Sequence, residues 1–112
     1  MALLGNLKGS AQVFQDTEFY NGVATQSLRF EDGSSHKLTR TFSSDVAEEE
    51  LVWHRDRTNR RIHILGGQGW QLQFDDKLPE ELMIGSDYYI QKMTYHRVIK
   101  GENDLIIRIE NI

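Results

Sequence analysis

The sequence contains no cysteine, and this absence removes several kinds of chemistry at once. Disulfide bonds, thiolate metal sites and a cysteine nucleophile are all excluded. A metal ion, if one is bound, must therefore be held by histidine, a carboxylate or water. The absence of a disulfide framework also favours an intracellular protein, with the cytoplasm as the expected location.

This chain of 112 residues also lacks long apolar runs and an excess of positive charge. No run reaches the ~18 consecutive apolar residues that a membrane-spanning helix needs. Positive charge is not in excess, because the net charge is −4. This argues against a general nucleic-acid binder, whose affinity comes from neutralising phosphates. We expect one domain over residues 1–112, small enough for oligomerisation to add stability.

Short alternating apolar runs, separated by clusters of Gly, Asn, Asp and Ser, predict an all-β fold. A hairpin turn is predicted at Asp32-Gly33-Ser34-Ser35, and Ser44–Glu50 is either a helical turn or an acidic loop that enters a strand. Many short strands at regular spacing indicate a sandwich or a barrel. The predicted strands are Ala11–Phe19, Val23–Glu31, Lys37–Phe42, Glu49–Asp56, Arg61–Leu65, Gly69–Phe74, Tyr88–Ile90, Tyr95–Ile99 and Leu105–Glu110.

Chemistry-bearing residues concentrate in two segments, Trp53-His54-Arg55-Asp56 and residues 85–96. Alternation on a strand places His54 and Asp56 on one face, and His96 ends the second segment. Two imidazoles and one carboxylate form a ligand set suited to iron(II) or manganese, with further coordination positions open to substrate, dioxygen or water. The pattern therefore predicts a metal site at His54, Asp56 and His96.

These two segments resemble the two metal-binding motifs of the cupin family of small β-barrels. The first motif region covers residues 54–69 and the second covers residues 85–96, where Gly85, Ile90 and His96 keep the family's spacing. The resemblance implies a cupin-type jelly-roll β-barrel that holds a divalent iron, manganese, nickel or zinc ion. The chain departs from the family at Arg60, where the family carries a ligating glutamate.

Arg60 has two interpretations, because a guanidinium is permanently cationic and is repelled by a metal. It either turns out of the pocket or holds an anionic substrate beside the metal. Gln71 and Tyr88 are further candidates for substrate binding. Gln71 alternates with apolar residues on its strand, and Tyr88 lies near the second motif. Such residues more often pack against the core than bind a ligand.

The resemblance implies a metal-dependent enzyme, of oxygenase or isomerase type, that acts on a small polar or anionic molecule. The alternative is a non-catalytic barrel without metal that binds a ligand or has a structural role. A homodimer is also expected. If His54 and Val52 face inward, Leu51 and Trp53 face outward, and a strand that is apolar on both faces is usually covered on both.

Overall fold

The computed structural model describes residues 13–30 and 35–112 of the chain. Within these residues, nine strands follow one another, with one 3₁₀ helix at Glu48–Glu50 between the third and the fourth. The predicted hairpin turn at residues 32–34 lies outside the described residues. The strands are β1 Val13–Tyr20, β2 Val23–Phe30, β3 Ser35–Phe42, β4 Arg60–Gly66, β5 Gln71–Phe74, β6 Glu80–Glu81, β7 Asp87–Ile90, β8 His96–Ile99 and β9 Leu105–Asn111.

The strands form two antiparallel sheets that share one core. The larger sheet has the order β1-β2-β3-β9-β4-β7, and the smaller has the order β6-β5-β8. On β9, Leu105, Ile107 and Ile109 are buried and the residues between them are not, which is the alternation of a sheet with one covered face. This is the all-β, jelly-roll architecture that the sequence predicts. The described part of the chain has no helix long and apolar enough to cross a membrane.

Trp70 is the largest fully buried side chain, and it packs between the sheets. Its ring lies 5.9 Å from that of Phe42, and its Nε1–H donates to the backbone oxygen of Asn103. A Cβ on Gly101 would lie 2.4 Å from Trp70 Cδ1, so only glycine allows the backbone to approach the indole this closely. The core therefore depends on one aromatic side chain and on the turn that closes over it.

The predicted strand Glu49–Asp56 is wrong. After the 3₁₀ helix the chain runs irregularly to Asn59, apart from a single β-bridge at His54. Glu49 and Glu50 belong to the 3₁₀ helix, and beyond it hydrogen bonds to a neighbouring turn, rather than to a neighbouring strand, hold the chain at Asp56 and Asn59. Met93 N–H donates to the Asp56 oxygen at 2.7 Å, and Lys92 N–H donates to Asn59 Oδ1 at 2.8 Å.

In this loop, the directions of two apolar side chains differ from those predicted. Leu51 was expected to face outward, but it is half-buried, packs against the core and lines a cavity. Val52, expected to face inward, is 55% exposed although it lines the same cavity. Trp53 is exposed and carries the guanidinium of Arg97 over its ring, 4.7 Å from the centroid. The homodimer therefore stays a prediction. Of the two residues expected to face outward, Trp53 is exposed and Leu51 is not.

We expect Trp70→Ala to lower the free energy of unfolding by about 3–5 kcal/mol, because it leaves a cavity between the sheets and an unpaired carbonyl. Urea titration measures the change. Leu78→Ala is the matched control, since Leu78 is 87% exposed and its truncation should change stability by less than about 0.5 kcal/mol. Equal effects of the two substitutions would show that Trp70 is not the centre of the core.

Candidate metal centre

A pair of backbone hydrogen bonds brings the two histidines of the site together. His54 N–H donates to the His96 oxygen at 3.0 Å, and His96 N–H donates to the His54 oxygen at 2.8 Å. Residues opposed in an antiparallel pair project their side chains to the same face. The two imidazole rings accordingly lie 4.3 Å apart between centroids, although they are 42 residues apart in sequence, from 54 to 96.

Each imidazole is oriented by a hydrogen bond from its Nδ1. His54 Nδ1 lies 2.9 Å from the oxygen of Val52, and His96 Nδ1 lies 2.8 Å from the oxygen of Thr94. A carbonyl oxygen only accepts, so Nδ1 must carry the proton in both rings. Nε2 then keeps its lone pair. This second contact, which fixes the tautomer and the ring plane, is the usual arrangement of a metal-ligating histidine.

Asp56 places its carboxylate between His96 and Arg60. Its side chain is 13% exposed, with Oδ1 3.5 Å from Arg60 Nη1 and Oδ2 3.3 Å from His96 Nε2. Among the described residues, Oδ2 is buried and has no hydrogen-bond donor. With the proton of His96 on Nδ1, two lone pairs therefore face each other across 3.3 Å. Such a pair of acceptors is stable only when a cation or a proton lies between them.

A second proton on His96 is disfavoured. Burial lowers the pKa of His96 below its ordinary value of 6.5, and the charges of His54 and Arg60 act in the same direction. The hydrogen bond to Thr94 and the carboxylate of Asp56 oppose this shift but are outweighed. The neutral imidazole is the form that binds a metal. The acceptor pair therefore fits a metal ion.

The three predicted ligands lie together. One ligand atom each from His54, Asp56 and His96 are all within 4.8 Å of one another, with His54 exposed, Asp56 intermediate and His96 buried. The donor set of two imidazole nitrogens and one carboxylate oxygen suits iron(II), manganese or a similar divalent ion. The residues present therefore fit a metal, and the exposed side of His54 leaves access to it.

The three ligands line a cavity of about 410 Å³ between the two sheets. Its wall is mostly apolar and draws on both sheets and on the loop at residues 51–59. Arg60, for which the sequence leaves two interpretations, also lines the cavity. The apolar lining residues are Val23, Phe42, Leu51, Val52, Ile62, Leu72, Ile90, Val98, Ile107 and Ile109.

Gln71 and Tyr88, the other two predicted substrate residues, are not among those that line this cavity. Gln71 precedes the buried Leu72 on β5, so its side chain projects to the opposite face of the sheet. The Tyr88 hydroxyl accepts from Met83 N–H at 2.8 Å and donates to the Glu81 oxygen at 3.0 Å. Its hydrogen bonds hold a turn and leave no donor for a ligand.

Sequence reasoning missed Arg40, a charged residue of the cavity, together with the exposed Glu18 and Glu50. Arg40 lies on β3, half-buried, with Nε–H donating to Thr25 Oγ1 at 3.0 Å. Burial lowers the pKa of its guanidinium, and the charge of Arg60 lowers it further. The signal was present in the sequence, because period-two alternation puts Arg40 on the same face as Leu38 and Phe42.

No family model matches the sequence, and no curated protein sequence matches it. Solved structures do resemble it in fold. A protein of unknown function (DUF1255) from Acinetobacter sp. ADP1 is similar with a TM-score of 0.69 at 16% identity, over 93% of this chain and 96% of that one. A DUF1255 protein from Acidithiobacillus ferrooxidans gives 0.67 at 13% identity, with 91% and 92% of the two chains covered.

Hydroxypropylphosphonic acid epoxidase from S. wedmorenis is also similar, with a TM-score of 0.68 at 15% identity. The match covers 88% of this chain and 55% of that one. Another structure of this enzyme, named HppE, is described as its Fe(II) form. At these identities the likeness concerns the fold alone. Fold and site together define an all-β protein of the cupin-like jelly-roll class, with a two-histidine, one-carboxylate group in its cavity.

The lowered pKa of His96 predicts how the stability of the metal-free protein depends on pH. The unfolded chain takes up a proton on this residue near 6.5, whereas the folded protein takes it up only at lower pH. Its stabilising contribution is therefore complete above pH 6.5 and decreases as the pH falls towards the folded-state pKa. Urea unfolding of the metal-free protein between about pH 7.5 and 5.5 measures this loss.

His96→Gln removes the titrating group and is the comparison for that experiment. We expect the variant to lose less stability than the wild type over the same pH interval, whatever its absolute stability. Identical pH slopes in the two proteins would contradict a lowered pKa for His96.

Proposed function

We propose that this protein is a metal-dependent enzyme of the cupin type, acting on a small polar or anionic molecule by oxygenation or isomerisation. His54, Asp56 and His96 hold the ion, which is iron, manganese, nickel or zinc. One observation carries the proposal: the lone pair of His96 Nε2 faces Asp56 Oδ2 at 3.3 Å inside a cavity, and this oxygen has no hydrogen-bond partner within residues 13–30 and 35–112. A bound ion with open coordination positions would supply Lewis-acid or redox chemistry.

The residues around the ligands have their own roles in this proposal. Arg60 binds Asp56 Oδ1 and so turns Oδ2 towards the two imidazoles. The backbone oxygens of Val52 and Thr94 hold the imidazole rings in the ligating orientation. Such contacts to a ligating histidine are typically worth 10–100-fold in metal affinity. Arg60 orients the carboxylate, but as a cation beside the ligands it also opposes the binding of a metal ion. The apolar walls lower the dielectric constant inside the cavity relative to water, which strengthens every charged contact made there.

The comparison with hydroxypropylphosphonic acid epoxidase supports the proposal only through the fold. That enzyme is described with Fe(II), and its epoxidase activity is its own. Its name gives a small acid as its substrate, and a fold similar to that of this chain carries it. The DUF1255 proteins, of unknown function, add no activity.

A metal-free barrel that binds a ligand or has a structural role is the second candidate, and the ion pair between Arg60 and Asp56 favours it. At 3.5 Å this contact already neutralises the carboxylate in part. If His96 takes a second proton despite its burial, the cluster is satisfied without a metal. The two candidate functions differ in whether a metal ion or a proton lies between His96 Nε2 and Asp56 Oδ2, and metal analysis distinguishes them.

We expect protein purified without chelator to contain about one divalent metal ion per chain, which is the stoichiometry of a single three-ligand site. His54→Ala and His96→Ala should each lose it, because two remaining ligands bind divalent ions weakly. Elemental analysis of dialysed protein gives both the amount and the identity of the metal.

His63→Ala is the matched control for that measurement. His63 lies on β4, where it pairs with Asp87, and it is not part of the three-ligand group. The variant should retain metal at the wild-type level. Metal-free wild-type protein, or equal metal content in all three variants, would contradict the metal site and support the metal-free barrel.

Arg60→Glu should tighten metal binding several-fold, because it removes a cation beside the ligands and adds a carboxylate that lines the same cavity. Competition with a chelator of known affinity measures the change in the dissociation constant. Arg57→Glu is the control, since Arg57 is exposed and close in sequence but is not among the residues lining the cavity. An equal gain in both variants would reflect net charge alone and would contradict a position of Arg60 beside the ion.

A further inference from the structure

Two guanidinium groups enter the same cavity from different strands of the larger sheet. Arg40 belongs to β3 and Arg60 begins β4, and β9 lies between these strands in the sheet order. Both residues line the cavity. Burial lowers the pKa of Arg40 and the charge of Arg60 lowers it further, while Asp56 and Glu18 act in the opposite direction. The two cations therefore repel each other, and nearby carboxylates offset this repulsion only in part.

Arg40 keeps hydrogen-bonding capacity that its own contact does not use. Its Nε–H donates to Thr25 Oγ1 at 3.0 Å, and this bond directs the planar guanidinium. The group carries five N–H donors in a fixed fork, and within residues 13–30 and 35–112 its hydrogen-bond partner is the hydroxyl of Thr25, so its Nη donors are available to another partner. A fork of this kind matches the two oxygens of a carboxylate or a phosphonate.

Arg60 is under-satisfied in the same way. Its Nη1 is 3.5 Å from Asp56 Oδ1, which is long for a charged hydrogen bond. Its Nε is buried, and it has no hydrogen-bond partner among the described residues. Unpaired donors on a buried cation are expensive to desolvate, so the Nε–H of Arg60 needs a partner, which a bound anion can supply.

The charges of the cavity are distributed unevenly between its interior and its mouth. Glu18 and Glu50 line the cavity but are exposed, and Glu50 accepts a hydrogen bond from Asn21 at 3.0 Å. The less exposed charges are the two guanidiniums and one carboxylate, that of Asp56. The interior is therefore positive by one unit before any divalent ion is added, and by three units with one bound. An anion is the ligand that this interior favours.

We propose that Arg40 and Arg60 bind the single anionic headgroup of a small organic acid, whose apolar body lies against the hydrophobic walls of the cavity. Phe42, Leu51 and Val98 are among the walls available to that body. The cavity of about 410 Å³ accommodates a compact acid of this kind. This inference deepens the proposed function by naming the substrate class, and it rests on that function for the reaction but not for the binding of the acid.

Calorimetric titration of the full chain, dialysed against chelator to remove metal, tests the proposal with defined probes. Hexanoate should bind, and hexan-1-ol, which has the same chain without the charge, should bind at least about tenfold more weakly. Hexylphosphonate resolves the headgroup: tighter binding than hexanoate indicates a doubly charged acid, and weaker binding indicates a carboxylate. Equal affinity for hexanoate and hexan-1-ol would overturn the proposal.

Substitutions then assign the binding to the arginines. Arg40→Gln should weaken hexanoate by about tenfold or more without weakening hexan-1-ol, because it removes one charge-assisted contact. Arg40→Lys keeps the charge but not the planar fork, so its affinity for hexanoate should lie between those of Arg40→Gln and the wild type. It is also the test variant if Arg40→Gln does not fold. Arg108→Gln, on an exposed position of β9, is the control and should leave hexanoate affinity unchanged. Unchanged affinity in both Arg40 variants would overturn the assignment.

The proposed function and this inference fail in different ways. Metal-free protein that binds hexanoate through Arg40 supports the anion site even if no metal is found in the purified protein. Protein that holds metal on His54 and His96 but does not distinguish hexanoate from hexan-1-ol keeps the metal site and overturns the anion site. If both sites are present, addition of the metal should tighten hexanoate binding, because it adds positive charge to the same cavity.

Discussion

The reciprocal hydrogen bonds between the backbones of His54 and His96 are the contact on which the site depends. They join the loop at residues 51–59 to β8 of the smaller sheet, so the two imidazoles share one face at a distance of 4.3 Å. The next residues of the loop then carry Asp56 into the cavity, where the carboxylate meets His96 and Arg60. Without this bridge the loop would have few backbone bonds, and the ligands would separate.

The polar cluster contrasts with the core that surrounds it. Around Trp70 the packing is dense and the indole N–H has a partner, which is the condition of a core optimised for stability. At the site, Asp56 Oδ2 and Arg60 Nε are buried without partners among the described residues. A half-satisfied polar network destabilises a fold more than an apolar core does. The contrast with the well-packed core supports the binding role that we propose for these groups.

Much of the fold can be predicted from alternation in the sequence, and the site only partly. Alternation identifies β9 and the two paired strands β2 and β3, because burial on one face sets the period. It misplaces residues 49–56, whose shape depends on bonds to His96 and Met93 far along the chain. The chemistry of the three ligands and the motif resemblance predict the metal site. The structure brings the ligands together although the predicted strand at residues 49–56 is absent. Arg40 was missed because no motif includes it. Tyr88 lies near a motif and Gln71 alternates with apolar residues, but neither feature places the side chain among those that line the cavity.

Arg60 connects the two halves of the site. Its ion pair with Asp56 is long, at 3.5 Å, so the guanidinium can meet an incoming anion without releasing the carboxylate. A metal ion on Oδ2 would draw negative charge away from Oδ1 and weaken that pair, which leaves Arg60 freer to bind the anion. The anion in turn reduces the repulsion between Arg60 and the metal. We therefore expect metal and acid to bind cooperatively, and thermodynamic linkage requires that each strengthens the other by the same factor. The residue that departs most from the cupin pattern is then the one that makes the two ligands depend on each other.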